Sequence, residues 1–381
     1  MKKFLSISLV LAMAMAALTG CGSSTSKNTE FKIGGIGPVT GGAAIYGQAV
    51  KNGAQIAVDE INAAGGVNGY KLNFDFQDDE ADAEKAVNAY NTLKDKGMQI
   101  LMGTVTSTAC VAVADKTYKD KIFQLTPSAS SVDCIQNDNT FQVCFTDPNQ
   151  GIASAKYIST KKMATKVAVI YDSSDVYSQG IYEKFNSKAK ELGISVVAAE
   201  AFNADSKTDF SVQLQKAKTA GAELVFLPIY YTEASLILSQ ADSMKYDPIF
   251  FGCDGLDGIL GVKNFNTSLA EDLVLLTPFA ADATDSKTQS FVSKYKAAYG
   301  DVPNQFAADA YDAVYTIKAA IEKAGVKPTD KNADICKALS AAMTEIKVDG
   351  VTGTGMTWLA TGEVNKEPKA VVIKNGVYKA N

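Results

Sequence analysis

Two short hydroxyl-rich stretches carry the chemistry this chain can do: Gly103-Thr104-Val105-Thr106-Ser107-Thr108-Ala109 and Thr126-Pro127-Ser128-Ala129-Ser130-Ser131. Each follows an apolar, strand-like run, Gln99 to Met102 and then Ile122 to Leu125, and the first leads straight into a helix-like pattern. A hydroxyl-rich turn at the C-terminal end of a parallel strand, opening a helix, gathers free backbone N–H groups and hydroxyls at one point. That is an anion site. The chain contains no Arg and no His, so an anion bound here is held by hydroxyls, amides, helix dipoles or Lys.

The same composition argues against catalysis. Without His the usual general base is missing, and a Ser or Cys nucleophile would need Lys or a carboxylate as its partner. Asp78-Asp79-Glu80 stands at a strand end. It could hold a cation or act as an acid–base pair, but a solvated turn with acids near a helix N-terminus is the simpler reading. Glycines 34, 35, 37, 41 and 42 approach a phosphate loop. Thr40, however, occupies the place where a G-x-G-x-x-G begun at Gly35 needs Gly, and Pro38 lies inside the loop. There is no C-x-x-C, and without His a zinc site is disfavoured; no metal and no cofactor are expected.

Binding fits better. Ligands of open α/β sheets sit outside the carboxyl ends of the strands. Tyr46, both hydroxyl turns, Tyr177, Tyr230 and Asp254 fall at such ends. An anion-holding end, one carboxylate and a set of aromatics complement a zwitterion with an apolar side chain.

The elements that position these groups alternate. Strand Phe31 to Ile36 precedes a helix from about Tyr46 to Ala64, in which Ala49, Ile56, Ala57 and Ile61 share a face and Gly65-Gly66 ends the helix. Then follow strand Lys71 to Phe76, helix Asp82 to Lys96, the strand ending at Met102, helix Ser107 to Lys119, and the strand ending at Leu125. After Thr146-Asp147-Pro148 the alternation restarts, with strands at Val167, Ser195, Leu224 and Ile249 and helices Tyr177 to Leu192, Phe210 to Ala220 and Thr232 to Met244. This implies two parallel, doubly wound sheets covered by helices. Beyond Leu275-Leu276-Thr277-Pro278 the pattern is mainly helical, at Lys287 to Tyr299, Gln305 to Ala324 and Asp334 to Met343. Short strands then follow at Met356 to Leu359 and Ala370 to Tyr378, with an Asn375-Gly376 hairpin turn.

The chain opens Met-Lys-Lys, an apolar run from Phe4 to Leu18, and Leu18-Thr19-Gly20-Cys21. This reads as a signal peptide over residues 1–20. The run is shorter than the ~20 residues a membrane span needs. Leu-Thr-Gly-Cys resembles a bacterial lipobox, which makes Cys21 the expected lipidated residue. Residues 21–30 read as a flexible tether, placing a soluble body on a lipid leash outside the cytoplasm. The net charge of −5 becomes more negative when Lys2 and Lys3 leave. An acidic chain without Arg is a poor nucleic-acid binder. Cys110, Cys134, Cys144, Cys253 and Cys336 remain, an odd number. The expected bridge is Cys110–Cys134, because both lie just past the hydroxyl turns; otherwise all five are small buried hydrophobes.

Several strings now carry a resemblance: Phe31-Lys32-Ile33-Gly34 through Tyr46-Gly47, Asn52-Gly53-Ala54-Gln55-Ile56-Ala57-Val58, Ile61-Asn62-Ala63-Ala64-Gly65-Gly66-Val67-Asn68-Gly69, Thr126-Pro127-Ser128-Ala129 and Phe251-Gly252-Cys253-Asp254-Gly255. Together and in this order they resemble the branched-chain amino-acid-binding proteins of ABC importers, over nearly the whole mature chain. The resemblance implies a type I periplasmic binding protein fold: an α/β architecture of two doubly wound parallel-sheet lobes joined by a three-crossing hinge. The lobes would comprise 31–146 with 278–356, and 147–277 with 357–381. The crossings fall near Phe145 to Pro148, Leu276 to Phe279 and Met356 to Leu359.

Carried over residue by residue, Ser107 would give a hydroxyl and amide to a ligand carboxylate. Ser128 would give a carbonyl to its ammonium. Ser130, where the family usually has Thr, would give a hydroxyl and amide. Asp254, where some members have Glu, would pair the ammonium. Tyr46, Val105, Thr106, Tyr177, Tyr230 and Phe306 would line the side-chain pocket. The implied ligand is a free amino acid, Leu, Ile or Val, and the implied partner a membrane permease; the receptor is expected to be a monomer. A small-amide hydrolase or an amino-acid sensor using the same cleft are the other readings.

Overall fold

The computed structural model describes residues 30–380. The leader, Cys21 and all of the expected tether but Glu30 lie outside the described residues. Glu30 itself opens the first strand rather than closing the tether.

The first sheet runs β2-β1-β3-β4-β5 and is wholly parallel. Its strands are β1 (Glu30–Gly37), β2 (Lys71–Asp78), β3 (Ile100–Gly103), β4 (Phe123–Thr126) and β5 (Thr140–Gln142). Helices α1 (Ala44–Ala63), α2 (Ala83–Asp95) and α3 (Ser107–Asp120) connect them. The strand order reverses between β1 and β3, so the connections leaving these two strands diverge and open a crevice at their carboxyl ends.

The second sheet runs β12-β11-β10-β9-β8-β6-β7. It is built from β6 (Lys166–Asp172), β7 (Ser195–Phe202), β8 (Leu224–Leu227), β9 (Ile249–Gly252), β10 (Val274–Thr277), β11 (Lys369–Lys374) and β12 (Val377–Ala380). Helices α4 (Asp147–Thr160), α5 (Val176–Glu191), α6 (Ser211–Thr219) and α7 (Tyr231–Ser243) belong to this stretch. Strands β6 to β10 are parallel, whereas β11 and β12 add an antiparallel edge. Their tight turn is the Asn375-Gly376 pair, both at positive φ, as a two-residue hairpin requires.

Between β10 and β11 the chain forms α8 (Ser286–Tyr299), α9 (Gln305–Ala324) and α10 (Asn332–Met343). These three pack back onto the first sheet's helices and loops. Tyr311 and Tyr315 both donate to Glu60 Oε2 at 2.7 Å, and Asn332 Nδ2 donates to Met98 O at 3.1 Å. The chain thus passes between the two sheet units three times: into α4, into α8, and between α10 and β11. The expected strand at Met356 to Leu359 is replaced by two isolated bridges, Val348 with Met356 and Trp358 with Val364. Trp358 spends its indole N–H on Gln142 O at 2.8 Å instead of on a ladder.

α1 and α9 approach closely because both present small residues. A Cβ on Gly53 would sit 2.0 Å from Ala307 O. All five described cysteines are buried with free thiols, which corrects the expected Cys110–Cys134 bridge. The two do lie together under the hydroxyl turns. The two thiols interact with one another, and each is also engaged by its surroundings: Cys110 Sγ accepts from Gln124 Nε2 at 3.3 Å, and the Cys134 thiol donates to Ser107 O at 3.7 Å.

Two outcomes follow from this packing. Gly53→Ala should cost about 1–3 kcal/mol in denaturant unfolding, the usual penalty for overpacking; an unchanged midpoint would mean that the helices do not approach as described. Alkylation after unfolding without reductant should label Cys110 and Cys134 separately, and a bridged peptide pair in the mass spectrum would overturn the free-thiol assignment.

Candidate functional site

Ser107 is the first residue of α3, reached directly from the loop that leaves β3. Its hydroxyl oxygen accepts from the amides of Ser130 (3.1 Å) and Ser131 (3.2 Å). Thr126 Oγ1 donates to Thr104 O at 2.7 Å, and Ser128 Oγ donates to Val105 O at 2.8 Å. The two hydroxyl turns are sewn edge to edge because β3 and β4 are sheet neighbours.

The stitching decides which groups remain for a ligand. The Ser128 hydroxyl is spent on Val105. Ser107 Oγ takes two amides and keeps its own O–H as a donor; the Ser130 amide, expected to face a ligand, is one of the two and is spent here. Ser130 Oγ and Thr106 Oγ1 are buried without a partner. A buried hydroxyl left unpaired costs about 1–3 kcal/mol, so these two atoms mark where a polar ligand group belongs.

The second sheet unit supplies the opposite wall. Tyr177, in the first turn of α5, donates its hydroxyl to Asp254 Oδ1 at 2.7 Å and accepts from Gly255 N at 3.0 Å. Asp254 follows β9, in a short helical turn. Tyr46 of α1 donates to Gly255 O across the gap. The rings form a cage: Tyr46 lies 4.2 Å from Phe306 and 5.4 Å from Tyr230, and Tyr177 lies 5.1 Å from Tyr230, between centroids. All ten residues singled out from the sequence, together with Gly255, line one small cavity of about 10 Å³. That is room for about one water; an amino acid enters only when the walls part.

Comparison with known proteins follows the same lines. The periplasmic binding protein profile matches residues 30–376. The chain belongs to the periplasmic binding protein family. It is 30% identical over 367 residues to the Leu/Ile/Val-binding protein homolog 3 of Brucella melitensis, covering 95% of each chain. It also resembles the substrate-binding protein LivJ of a branched-chain amino acid transporter from Streptococcus pneumoniae, solved with isoleucine. That match has a TM-score of 0.83 and 30% identity, covering 92% of this chain and 98% of the other. A benzoate-bound solute-binding protein from R. palustris shares the fold at TM-score 0.81, with 19% identity and 92% and 95% coverage.

This binding protein holds further site groups that the sequence did not flag. Asp147, the first residue of α4, is buried, and neither of its carboxylate oxygens has a partner. Burial pushes its pKa well above the usual carboxylate range; the adjacent Ser130 side chain offsets part of this, and the nearby Asp254 adds to it. Gln150 accepts from Asp254 N at 3.2 Å while its own Nε2 stays unpartnered. Gln305 Nε2 donates to Asp254 O at 2.8 Å. Thr146-Asp147-Pro148 had been legible only as a boundary; that a helix starts there, aiming an acid inward, was not.

The acidic run at 78–80 is a turn-former, but it is not fully solvated. Asp78 accepts from Val39 N, Glu80 N and Thr40 Oγ1, whereas Asp79 is fully buried.

Burial raises the Asp254 carboxyl to a pKa of about 7, offset in part by the hydrogen bond from Tyr177 and by the nearby Gln150 side chain. The ionised form, which would hold an ammonium, is present above that value and lost below it. Zwitterion affinity should therefore be full above pH about 7 and fall as pH drops through it, approaching about tenfold per unit. Asp254→Asn should weaken binding and flatten the profile. Equal affinity at pH values well below and well above 7 in calorimetry would remove Asp254 from the ammonium site.

Proposed function

We propose that this chain is the extracytoplasmic receptor of an ABC importer. It binds a free amino acid with an aliphatic side chain, Leu, Ile or Val, and hands it to a membrane permease without chemistry of its own. One observation carries the reading: a single small cavity lined by donor hydroxyls, a buried carboxylate and an aromatic cage. Ser107 and Ser130 hold the α-carboxylate, Asp254 and the Ser128 carbonyl hold the α-ammonium, and Val105 and Thr106 complete the side-chain pocket.

The relatives named as Leu/Ile/Val-binding proteins support this ligand class. Benzoate fits less well, since an anion without an ammonium leaves Asp254 uncompensated. The two sheet units act as lobes, 31–146 with 278–356 and 147–277 with 357–381, that close on the ligand as a monomer tethered through Cys21.

Magnitudes are adequate. Charge-assisted hydrogen bonds contribute roughly 1.5–3 kcal/mol each, and burying a Leu-sized side chain contributes roughly 1.5–3 kcal/mol. Four or five such bonds plus that burial offset the costs of association and closure and leave about −8 kcal/mol, a micromolar ligand.

Calorimetry against the twenty amino acids is the direct test, and heat with Leu, Ile or Val is the expected result. Silence with all twenty would sink the amino-acid reading. The lone Trp358, on the third passage between the units and bonded to Gln142, should change its fluorescence on ligand addition. Ser107→Ala should weaken binding by about tenfold or more, the worth of one charge-assisted bond. An unchanged affinity would misplace the carboxylate end.

A further inference from the structure

Behind the cage lies a second space. A cavity of about 220 Å³ shares Thr106 and Tyr230 with the clamp. Glu80 enters its wall from the first sheet unit, and Asp172, Asp175 and Glu233 from the second. Lys207 is the one basic side chain on this wall, 3.9 Å from Glu233. Lys85 meets Glu80 from outside the cavity at 2.7 Å. The lining therefore keeps an excess of carboxylates. Burial raises Asp175 to a pKa of about 6 and raises Glu233 as well, with Asp172 adding to both.

Acids alone would be only a wall, but two further observations point to a ligand. Thr106 is 4% exposed, its Oγ1 has no partner, and it lines both cavities. Tyr177 acts as a ruler between the two acidic centres: its amide approaches Asp175 Oδ1 at 3.4 Å, and its hydroxyl donates to Asp254 Oδ1 at 2.7 Å. One tyrosine therefore spans the distance from the ammonium acid to the annex acids. The extended stem of ornithine or lysine covers a similar span, with a compact, three-donor ammonium at its end.

We propose that this annex is a distal subsite for a second ammonium, so that the receptor takes amino acids with amine-terminated side chains, ornithine or lysine, alongside aliphatic ones. The proposal rests on the clamp reading above. The α-carboxylate and α-ammonium stay in the clamp. The aliphatic stem runs along the rings of Tyr177 and Tyr230. The distal ammonium donates to the Thr106 hydroxyl oxygen and to the Asp175 and Glu233 carboxylates.

The test is calorimetry on the purified protein with leucine, lysine, ornithine and norleucine, the last a lysine analogue lacking the amine. Lysine or ornithine should bind about tenfold or more tighter than norleucine, the difference that one charge-assisted bond makes. Glu233→Gln should weaken the diamino ligand by about tenfold, and Asp172→Asn, which removes a wall charge that makes no direct contact, should weaken it by less; both should leave leucine affinity unchanged, which also confirms that the variants fold. Norleucine binding as tightly as lysine would overturn the annex, as would leucine and lysine losing affinity together in the variants. Leucine binding with no diamino binding would reject the annex and leave the clamp standing. No binding of any amino acid would remove both.

Discussion

Taking a carboxylate out of water is costly unless a cation or several donors meet it. Asp254 is 5% exposed, and no ion pair among the described residues involves it. Tyr177 and the surrounding amides satisfy only part of the group, and its raised pKa records the deficit. Much of the neighbouring architecture answers to this one acid. Tyr177 is fixed between Asp254 and Gly255, Gln150 and Gln305 grip its backbone, and Asp147 adds a second buried acid close by. In the proposed reading, a ligand ammonium is the complement that the protein does not supply from its own side chains. The hydroxyl turns need no Arg for the other end, because amides and hydroxyls at a helix start suffice for a carboxylate.

The same acid bears on closure. Contacts between the two sheet units cluster around it: Tyr46 on Gly255, Tyr231 on Ile45 N at 3.1 Å, Thr232 on Gly42 O at 2.7 Å, Thr108 on Asp175 at 2.9 Å and Gln305 N on Asp257 at 2.9 Å. The bonds to neutral acceptors are worth about 1 kcal/mol net, and those to the Asp175 and Asp257 carboxylates about 1.5–3 kcal/mol. They hold a closed form without making it irreversible. A ligand that touches both walls only in that form supplies the differential contact needed to shift the balance.

Much of this was legible in the sequence, and the omissions have physical causes. An apolar run followed by hydroxyls shows both strand and turn, so 99–109 and 122–131 could be read directly. The helix Gln305–Ala324 has a strong apolar stripe and a Gly after it, and its bounds match the reading. Helix α4 was missed because its buried face is Gln150, Gly151, Ser154, Ala155 and Ile158, small and polar rather than apolar. It fits close against α5, where a Cβ on Gly151 would lie 2.4 Å from Ile181 O. Strand β5 is three residues long and β10 read as a changeover, since neither alternates. The thiol state of Cys110 and Cys134 depends on what surrounds each sulfur, which spacing does not reveal. Asp147 escaped because a lone acid before Pro looks like any turn.

One helix ties the clamp to the passages between the units. The first turn of α9 places Gln305 on Asp254 and Asp257 and Phe306 against Tyr46. The next turns carry Asp309 and Asp312. Lys366, from the chain returning to the second sheet, is buried and donates to Asp309 at 2.9 Å and to Thr352 Oγ1 at 2.6 Å. Asp312 accepts from the amides of Val351 and Thr352 and from the Thr352 hydroxyl. Gly350 is required there, since a Cβ would lie 2.2 Å from Asp312 Oδ2. Breaking a buried pair such as Lys366–Asp309 leaves an uncompensated charge and costs about 3–5 kcal/mol, so this anchor would stay whole in the proposed opening of the cleft. The cleft contacts at the start of α9 are hydrogen bonds that water can replace. Strength at the anchor and weakness at the cleft, on one helix, would confine the proposed motion to the surfaces that a ligand touches.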